Sequence, residues 1–287
     1  MIANRKLRRF LDQLYEDYVA DYRKSPQDFF TRKKDPLLFP HRYRNFHDRE
    51  AAAFIASVFA YGNVTSLCSF IDGLLGEMGP APAKFLMQGE PAIERLRKKG
   101  MYYRLHKTDD ILALLYMLSA VYNEEGSLYN IFLKHYCRHL PSDRLRLQNH
   151  NTISIVVMDF VKDLYRLSGR PLSFLVPSPA DGSPCKRLNL FLRWMVRRDE
   201  IDLGLWKKVS PSHLIMPLDT HIGRVATSLG WIQNPSLSWK KAERITEVLR
   251  QFDPEDPTRY DFSLCHESMA QSPWIAGIDK NTRPHRK

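Results

Sequence analysis

Cysteine is scarce in this chain, and what there is lies scattered. The four residues are Cys68, Cys137, Cys185 and Cys265, no two of them close in sequence. That spacing argues against a zinc ribbon, a CxxC redox pair or a clustered iron–sulfur site, and it fits reduced thiols in a cytoplasmic protein. Long apolar runs are missing too. No stretch approaches the length needed to cross a bilayer. The basic N-terminus, MIANRKLRRFLDQLYEDYV, leads into no apolar segment of the signal-peptide kind. Acid is in deficit: 32 Asp and Glu stand against 43 Lys and Arg, for a net charge of +11. This excess does not set a fold. It favours a polyanionic partner, nucleic acid before an anionic membrane; a basic surface that serves only solubility is the plainer alternative.

Alternating strand patterns are nearly absent as well, and helical spacing fills their place. Leu7, Phe10, Leu11, Leu14, Tyr15 and Tyr18 recur at steps of three and four. The same rhythm runs through Phe54–Phe59, Leu67–Met78, Ile111–Val121, Ile153–Leu164, Leu188–Met195, Ile222–Leu229 and Ala242–Phe252. The reading is an all-α protein of about a dozen helices. Breaks rich in Pro, Gly, Asp or Ser fall at KSPQDFFTRKKDPLLFPHRYRN, EMGPAPAKFLMQGEP, HLPSDRLRLQNHN, LVPSPADGSPCK and DPEDPT. None is long enough for a disordered linker, and hydrophobic residues at 44% suffice for a packed core. Two helical lobes around a cleft are expected. Residues 1–100 with 236–287 would form the first, and residues 101–235 the second.

One short string focuses the functional question. In MPLDTHIGRVATSLGW, Asp219 follows an apolar run and stands just before a helical pattern. An acid there accepts hydrogen bonds from free backbone N–H groups and favours the positive end of the helix. Capping alone explains it. The same string, however, resembles the VDTH-x-x-RVA-x-RLGW segment of the helix-hairpin-helix DNA glycosylases, the superfamily of endonuclease III and the oxidised-guanine glycosylases. In that superfamily the Asp is the catalytic carboxylate. A second match lies upstream, where GSPCKRLNLFLRWMVRRDEIDLGLW places Lys186 at a helix start, 33 residues before Asp219. Bifunctional members carry a lysine at the corresponding place, and the separation looks like that of the archaeal 8-oxoguanine glycosylases. The chain is also similar to a bacterial family that shares KR-x-x-x-FLRWMVR and PLDTH. The usual hairpin signature, Leu-Pro-Gly-Val-Gly, is absent; SPADGSPC is the candidate replacement. The four-cysteine cluster of endonuclease III is absent too.

The resemblance implies a helix-hairpin-helix glycosylase-like fold and a site. Lys186 would be the nucleophile that forms a Schiff base with C1′ of the sugar, and Asp219 would stabilise the sugar cation. The second lobe would carry both. A helix start and the neighbouring Arg187 favour the neutral amine that attack requires. Lys186 as one more solvated cation is the alternative. His221 would reach a backbone phosphate, or else buttress the turn. Gly182 and Ser183 would present backbone N–H groups to a phosphate, with Arg187 beside them. Asn63 would fill the gap left by a flipped nucleotide, or else cap the next helix. Trp274, Phe191 and Trp194 would line the base pocket, although aromatics at helical spacing are more often core. A DNA footprint would draw on some of Arg193, Arg197, Arg198, Lys207 and Lys208 and the clusters Arg32–Lys34 and Arg42 with Arg44, and the rest would be a solvated surface.

The expected activity is therefore excision of an oxidised purine such as 8-oxoguanine, with lyase activity. The expected partner is double-stranded DNA with a damaged base, met by a cytoplasmic, nucleoid-associated monomer without metal or cofactor. Two rivals stand beside it. One is a non-catalytic DNA- or RNA-binding protein on the same fold. The other is a helical scaffold for protein partners.

Overall fold

The computed structural model describes residues 2–140 and 151–274. Those residues hold fourteen α-helices, a few short 3₁₀ and π turns, and one two-stranded hairpin. The chain is all-α. Helices α1 (Ile2–Lys24) and α2 (Pro26–Lys33) come first, then α3 (Leu38–His41), α4 (Phe46–Val58), α5 (Val64–Met78), α6 (Pro82–Met87) and α7 (Glu90–Arg97). The hairpin of β1 (Tyr102–Tyr103) and β2 (His106–Lys107) leads into α8 (Thr108–Ala120), α9 (Leu128–His139) and α10 (Asn151–Ser168). Helices α11 (Lys186–Val196), α12 (Thr220–Ser228), α13 (Trp239–Arg250) and α14 (Asp261–Met269) follow. None of the described helices is long and apolar enough to cross a membrane.

Two stretches expected as connections are helical in part. KSPQDFFTRKKDPLLFPHRYRN contains α2 and α3, and EMGPAPAKFLMQGEP contains α6. Their prolines start helices instead of breaking them: Pro26 opens α2, Pro82 opens α6, and Pro91 is the second residue of α7. At a first turn the missing N–H is no loss, and the fixed φ suits the helix. The break expected at HLPSDRLRLQNHN lies almost wholly outside the described residues.

The chain divides into two compact units, one of Met1–Lys33 with Asp181–Lys287, the other of Lys34–Ala180. The boundaries anticipated from sequence, 100/101 and 235/236, fall elsewhere. Helices α7 and α8 pack together across residue 100, and α12 packs on α14 across residue 235, so neither place is a seam.

The continuous unit is built on α4, whose Ala51, Ala52, Ala53 and Ile55 are wholly buried. Small alanines let neighbouring helices approach closely. On the same helix Glu50 is completely buried, and its carboxylate accepts from the backbone N–H groups of Leu128 and Tyr129, each at 3.0 Å, and from Tyr122 Oη at 3.2 Å. It thus caps the start of α9, where free N–H groups and the helix dipole favour an anion. Burial first, and the Glu50 charge second, push the Tyr122 phenol well above its usual value.

The split unit is organised around α11, whose residues from Leu188 to Val196 are all buried. Two of the buried side chains around its end are arginines. Arg193 pairs with Asp202 at 3.2 Å and with Asp261; Arg197 pairs with Asp202 at 2.5 Å, Asp199 at 2.9 Å and Asp256 at 3.0 Å. Both arginines and Asp202 are at most 4% exposed. These arginines therefore hold the fold together, and they leave the DNA footprint expected from the sequence. Gly204 completes the turn after α11. Its φ of +59° is unfavourable for other residues, and a Cβ there would stand 3.0 Å from the Arg197 carbonyl oxygen.

Four carboxylates, of which Asp202 and Asp261 are buried and Asp199 and Asp256 partly exposed, face two buried guanidinium groups. Burial pushes Asp202 up to about 7 against the pull of Arg193 and Arg197, and it raises Asp256 and Asp261 as well. Burial also works on Asp199, but the Arg197 charge, the Asp202 N–H and the Tyr15 hydroxyl outweigh it and hold that group low. A carboxyl raised on folding takes up protons that the unfolded chain releases. Its contribution is full below about pH 4, the unfolded value, and is lost as pH rises through the folded one. Arg193→Met should therefore cost about 3–5 kcal/mol near pH 8, because Asp261 and Asp202 lose a partner. The cost should shrink toward pH 5, where those carboxyls can neutralise themselves. Denaturant melts of both proteins at the two pH values measure this, and an equal loss at both would contradict the account.

Candidate active site around Lys186 and Asp219

The segment before Lys186 explains its position. Gly182 has a φ of +71°, and its carbonyl accepts from the Trp239 N–H at 3.3 Å. Ser183 Oγ accepts from the Cys185 N–H at 3.1 Å. Cys185, fully buried, takes the left-handed conformation (φ 48°, ψ 36°) immediately before α11. The Asn189 side-chain amide then donates to the Pro184 carbonyl at 3.1 Å. The chain is thus turned sharply and pinned on both sides, so Lys186 leaves the first turn of α11 in a fixed direction. Burial pushes the Cys185 thiol up to about 12, which removes it as a nucleophile.

Asp219 is positioned by a different logic. Residues Leu214–Leu218 are all buried, and the Met216 N–H donates to Thr246 Oγ1 of α13 at 2.9 Å. The chain emerges at Asp219 and turns into α12. Asp219 Oδ1 accepts from the N–H groups of His221 at 2.9 Å and Ile222 at 3.0 Å. That is an ordinary helix cap. The other oxygen, Oδ2, is turned to Lys186, whose Nζ lies 3.8 Å away. The two side chains are 23% and 22% exposed, so both ends reach the surface while their stems are packed. The choice between a cap and a carboxylate facing an amine is thereby dissolved: one oxygen serves each. Chemically, an amine and a carboxylate at this separation could flank one reacting carbon.

The remaining residues singled out in the sequence fall into separate places. Arg187 follows Lys186 on α11 and is half-buried. The His221 ring meets α14, with Nδ1 3.4 Å from Ser268 Oγ, and the same hydroxyl lies 3.3 Å from the His221 carbonyl. This is the buttressing arrangement. Asn63 belongs to the other unit, where it is exposed and caps α5 by accepting from the Ser66 N–H at 3.1 Å. Phe191 and Trp194 are completely buried, and Phe191 packs edge-on against Trp206 with ring centroids 5.2 Å apart. They are core side chains, and a base cannot stack on them. Trp274 lies edge-on to Phe10 at 4.8 Å, and its Nε1 donates to Glu267 at 2.9 Å. It joins the end of the split unit to α1. Among the outer cations, Arg32 and Lys33 pair with Asp21, and Arg42 with Asp72, whereas Lys207 and Lys208 are exposed.

One relevant acid escaped the sequence reading. Asp261, the first residue of α14, is buried, and it feels the charges of both Asp219 and Lys186. Its only sequence signal is an acid at a helix start after DPEDPT, which is too common to single out. Around Lys186 no donors gather to hold a metal ion. Among the described residues, the one such group is His135, His139 and Asp159 in the continuous unit.

The model of the family described as Protein of unknown function (DUF2400) matches residues 35–270, and the chain belongs to that family. No curated protein and no solved structure matches it.

The two duties of Asp219 can be separated by substitution. Asp219→Ala removes the cap and should lower stability by about 1 kcal/mol. Asp219→Asn retains an oxygen for the His221 and Ile222 N–H groups and should stay within a few tenths of a kcal/mol of the parent, since Asn caps about as well as Asp. Thermal melts of the three proteins decide the matter. An Asn variant as unstable as the Ala variant would mean that the charge facing Lys186, and not the cap, stabilises the segment.

Proposed function

We propose that the chain is a DNA N-glycosylase with lyase activity that removes an oxidised purine from double-stranded DNA. The observation that carries the reading is the 3.8 Å approach of Lys186 Nζ to Asp219 Oδ2 at two helix starts, both partly exposed. The likeness of LDTHIGRVATSLGW to the glycosylase segment supports it, as does the net charge of +11. The target nucleotide would be extruded from the duplex before reaction. Lys186 Nζ, once it has released a proton to solvent, would attack C1′ as the bond to the base breaks, and the departing base would take up a proton from water. The Asp219 carboxylate, held by its cap hydrogen bonds, would stabilise the cationic sugar as it forms. Loss of the amine proton and opening of the sugar then give the Schiff base from which strand cleavage by elimination can follow. Such an enzyme would work in the cytoplasm, at the nucleoid.

A second reading, nucleic-acid binding without catalysis, draws on a different place. In the continuous unit a hollow of about 360 Å³ is lined by Leu105, His106, Asp110, Arg170, Leu172 and Phe174. Leu105 is 72% exposed and Phe174 54%. An exposed aromatic ring beside an arginine is a platform on which an unpaired base can stack.

Borohydride trapping on duplexes that each carry one damaged base tests the first reading. The parent should give a covalent adduct with an oxidised-purine duplex. Lys186→Gln should abolish the adduct and leave DNA affinity within a few-fold, because one cation among many adds little to binding. Asp219→Asn should stay folded and excise at least about a hundredfold more slowly, from loss of a few kcal/mol of transition-state stabilisation. No adduct with any duplex, together with salt-dependent DNA binding that Phe174→Ala weakens, would favour the second reading.

A further inference from the structure

Away from Lys186, helices α9 and α10 of the continuous unit bring four ionisable side chains together. His135 and His139 stand one turn apart on α9, and Asp159 and Asp163 one turn apart on α10. His135 Nε2 is 2.8 Å from Asp163 Oδ2, and His139 Nε2 is 2.8 Å from Asp159 Oδ2. The later histidine meets the earlier aspartate, so the helices run antiparallel, with Phe132 and Phe160 packed edge-on one turn away at 5.5 Å.

A pair of interhelical ion pairs would account for most of this, but not for His135 Nδ1. The side chain is 6% exposed, and Nδ1 is buried without a hydrogen-bond partner among the described residues. With Nε2–H donated to Asp163, a neutral ring leaves a bare lone pair at Nδ1. A protonated ring leaves an N–H there with no acceptor. Either state carries the penalty of a buried, unsatisfied polar atom. Nδ1 is turned toward Asp159, whose Oδ2 lies 3.8 Å away, too far for a hydrogen bond.

We propose that His135 Nδ1, His139 Nε2 and an Asp159 oxygen bind one divalent cation of the zinc class, with Asp163 holding the His135 ring from behind. One donor atom from each of the three residues lies within 4.8 Å of the other two; Asp159 Oδ2 is 3.8 Å from His135 Nδ1 and 2.8 Å from His139 Nε2. Ligands about 2.0–2.1 Å from a tetrahedral zinc ion stand about 3.4 Å apart. The His139–Asp159 contact must therefore open by about half an ångström, and the His135–Asp159 gap must close by slightly less. These shifts fall to His139 and Asp159, the more exposed side chains of the three. Two imidazoles and one carboxylate are borderline donors of the kind zinc accepts, and magnesium or calcium would want more oxygen. Asp163 supplies the outer carboxylate that fixes the tautomer of a metal-bound histidine. His139 and Asp159 are 25% and 32% exposed, so the ion has a path from solvent and water can complete its coordination. The site was hidden in the sequence because H-x-x-x-H, a spacing that zinc sites use, and D-x-x-x-D lie on separate helices, and nothing in the sequence shows that they meet.

The test uses the full chain, stripped with chelator and titrated with Co²⁺, whose visible spectrum reports coordination, followed by Zn²⁺ competition. One equivalent of Co²⁺ should bind with a tetrahedral or five-coordinate spectrum, and Zn²⁺ should displace it. His139→Gln and Asp159→Asn, both at the rim and expected to fold, should each weaken binding at least tenfold. Asp163→Asn should weaken it 10–100-fold, the usual cost of losing an outer-shell carboxylate. Exposed Cys137, on the same helix, is the competing ligand, and Cys137→Ser should leave the titration unchanged. The proposal is overturned by absence of saturable one-equivalent binding in the parent. It is equally overturned if binding survives His139→Gln and Asp159→Asn, or disappears with Cys137→Ser. None of these readings involves Lys186 or DNA, so the outcome is independent of the glycosylase proposal.

Discussion

The split unit depends on a buried charge balance. Its central helix, α11, buries Arg193 and ends at Arg197, and those two side chains decide where the surrounding chain can go. Asp199 and Asp202 on the following turn, Asp256 in the loop after α13 and Asp261 at the start of α14 all have to come to them. Apolar packing could be satisfied by several arrangements of these helices. An unpaired guanidinium group in the interior is costly, which disfavours arrangements that leave Arg193 or Arg197 without these acids. Specificity is the natural role for such a network. It fixes α11 in direction and register, and with it the lysine at the helix start.

Asp219 shows how one side chain can cap a helix and face a cation at the same time. A carboxylate has two oxygens and more acceptor sites than a cap requires. The cap fixes Oδ1 against the His221 and Ile222 N–H groups, and that fixes Oδ2 toward Lys186. A carboxylate held this way loses little freedom when it meets a developing cation, which is how a preorganised group differs from a solvated one. The stabilising hydrogen bonds and the orientation are one arrangement.

Much of the helical architecture could be read from the sequence, because α1, α4, α5, α8, α10, α11, α12 and α13 each carry an apolar stripe with helical period. The others hide for definite reasons. Helix α14 buries Asp261, Ser263, His266 and Ser268 beside its apolar residues, so no apolar stripe exists to be counted. Helix α9 completes its inner face with His135 and Tyr136. In α2, α6 and α7 the prolines look like breaks until their place in the first turn is known. At the candidate site, Lys186 and Asp219 stood out in the sequence at two helix starts, and their approach to one another did not show there, since 32 residues of chain lie between them. Phe191, Trp194, Arg193 and Arg197 misled for a single reason: the face of a helix that a side chain occupies shows in the pattern, but what that face meets does not.

Helices α1 and α2 belong with chain that comes nearly 150 residues later. Tyr15 bonds to Asp199, Tyr18 to Glu267, and Asp12 receives the Tyr260 hydroxyl at 2.6 Å. On a ribosome the order of synthesis therefore runs against the order of assembly. Helix α1 packs on α2 beside it and on α14, which lies beyond residue 180. Closing so long a loop costs little extra entropy once the intervening segment is itself compact. For the interval of translation between them, however, an amphipathic helix waits with Leu11, Tyr18 and Val19 uncovered.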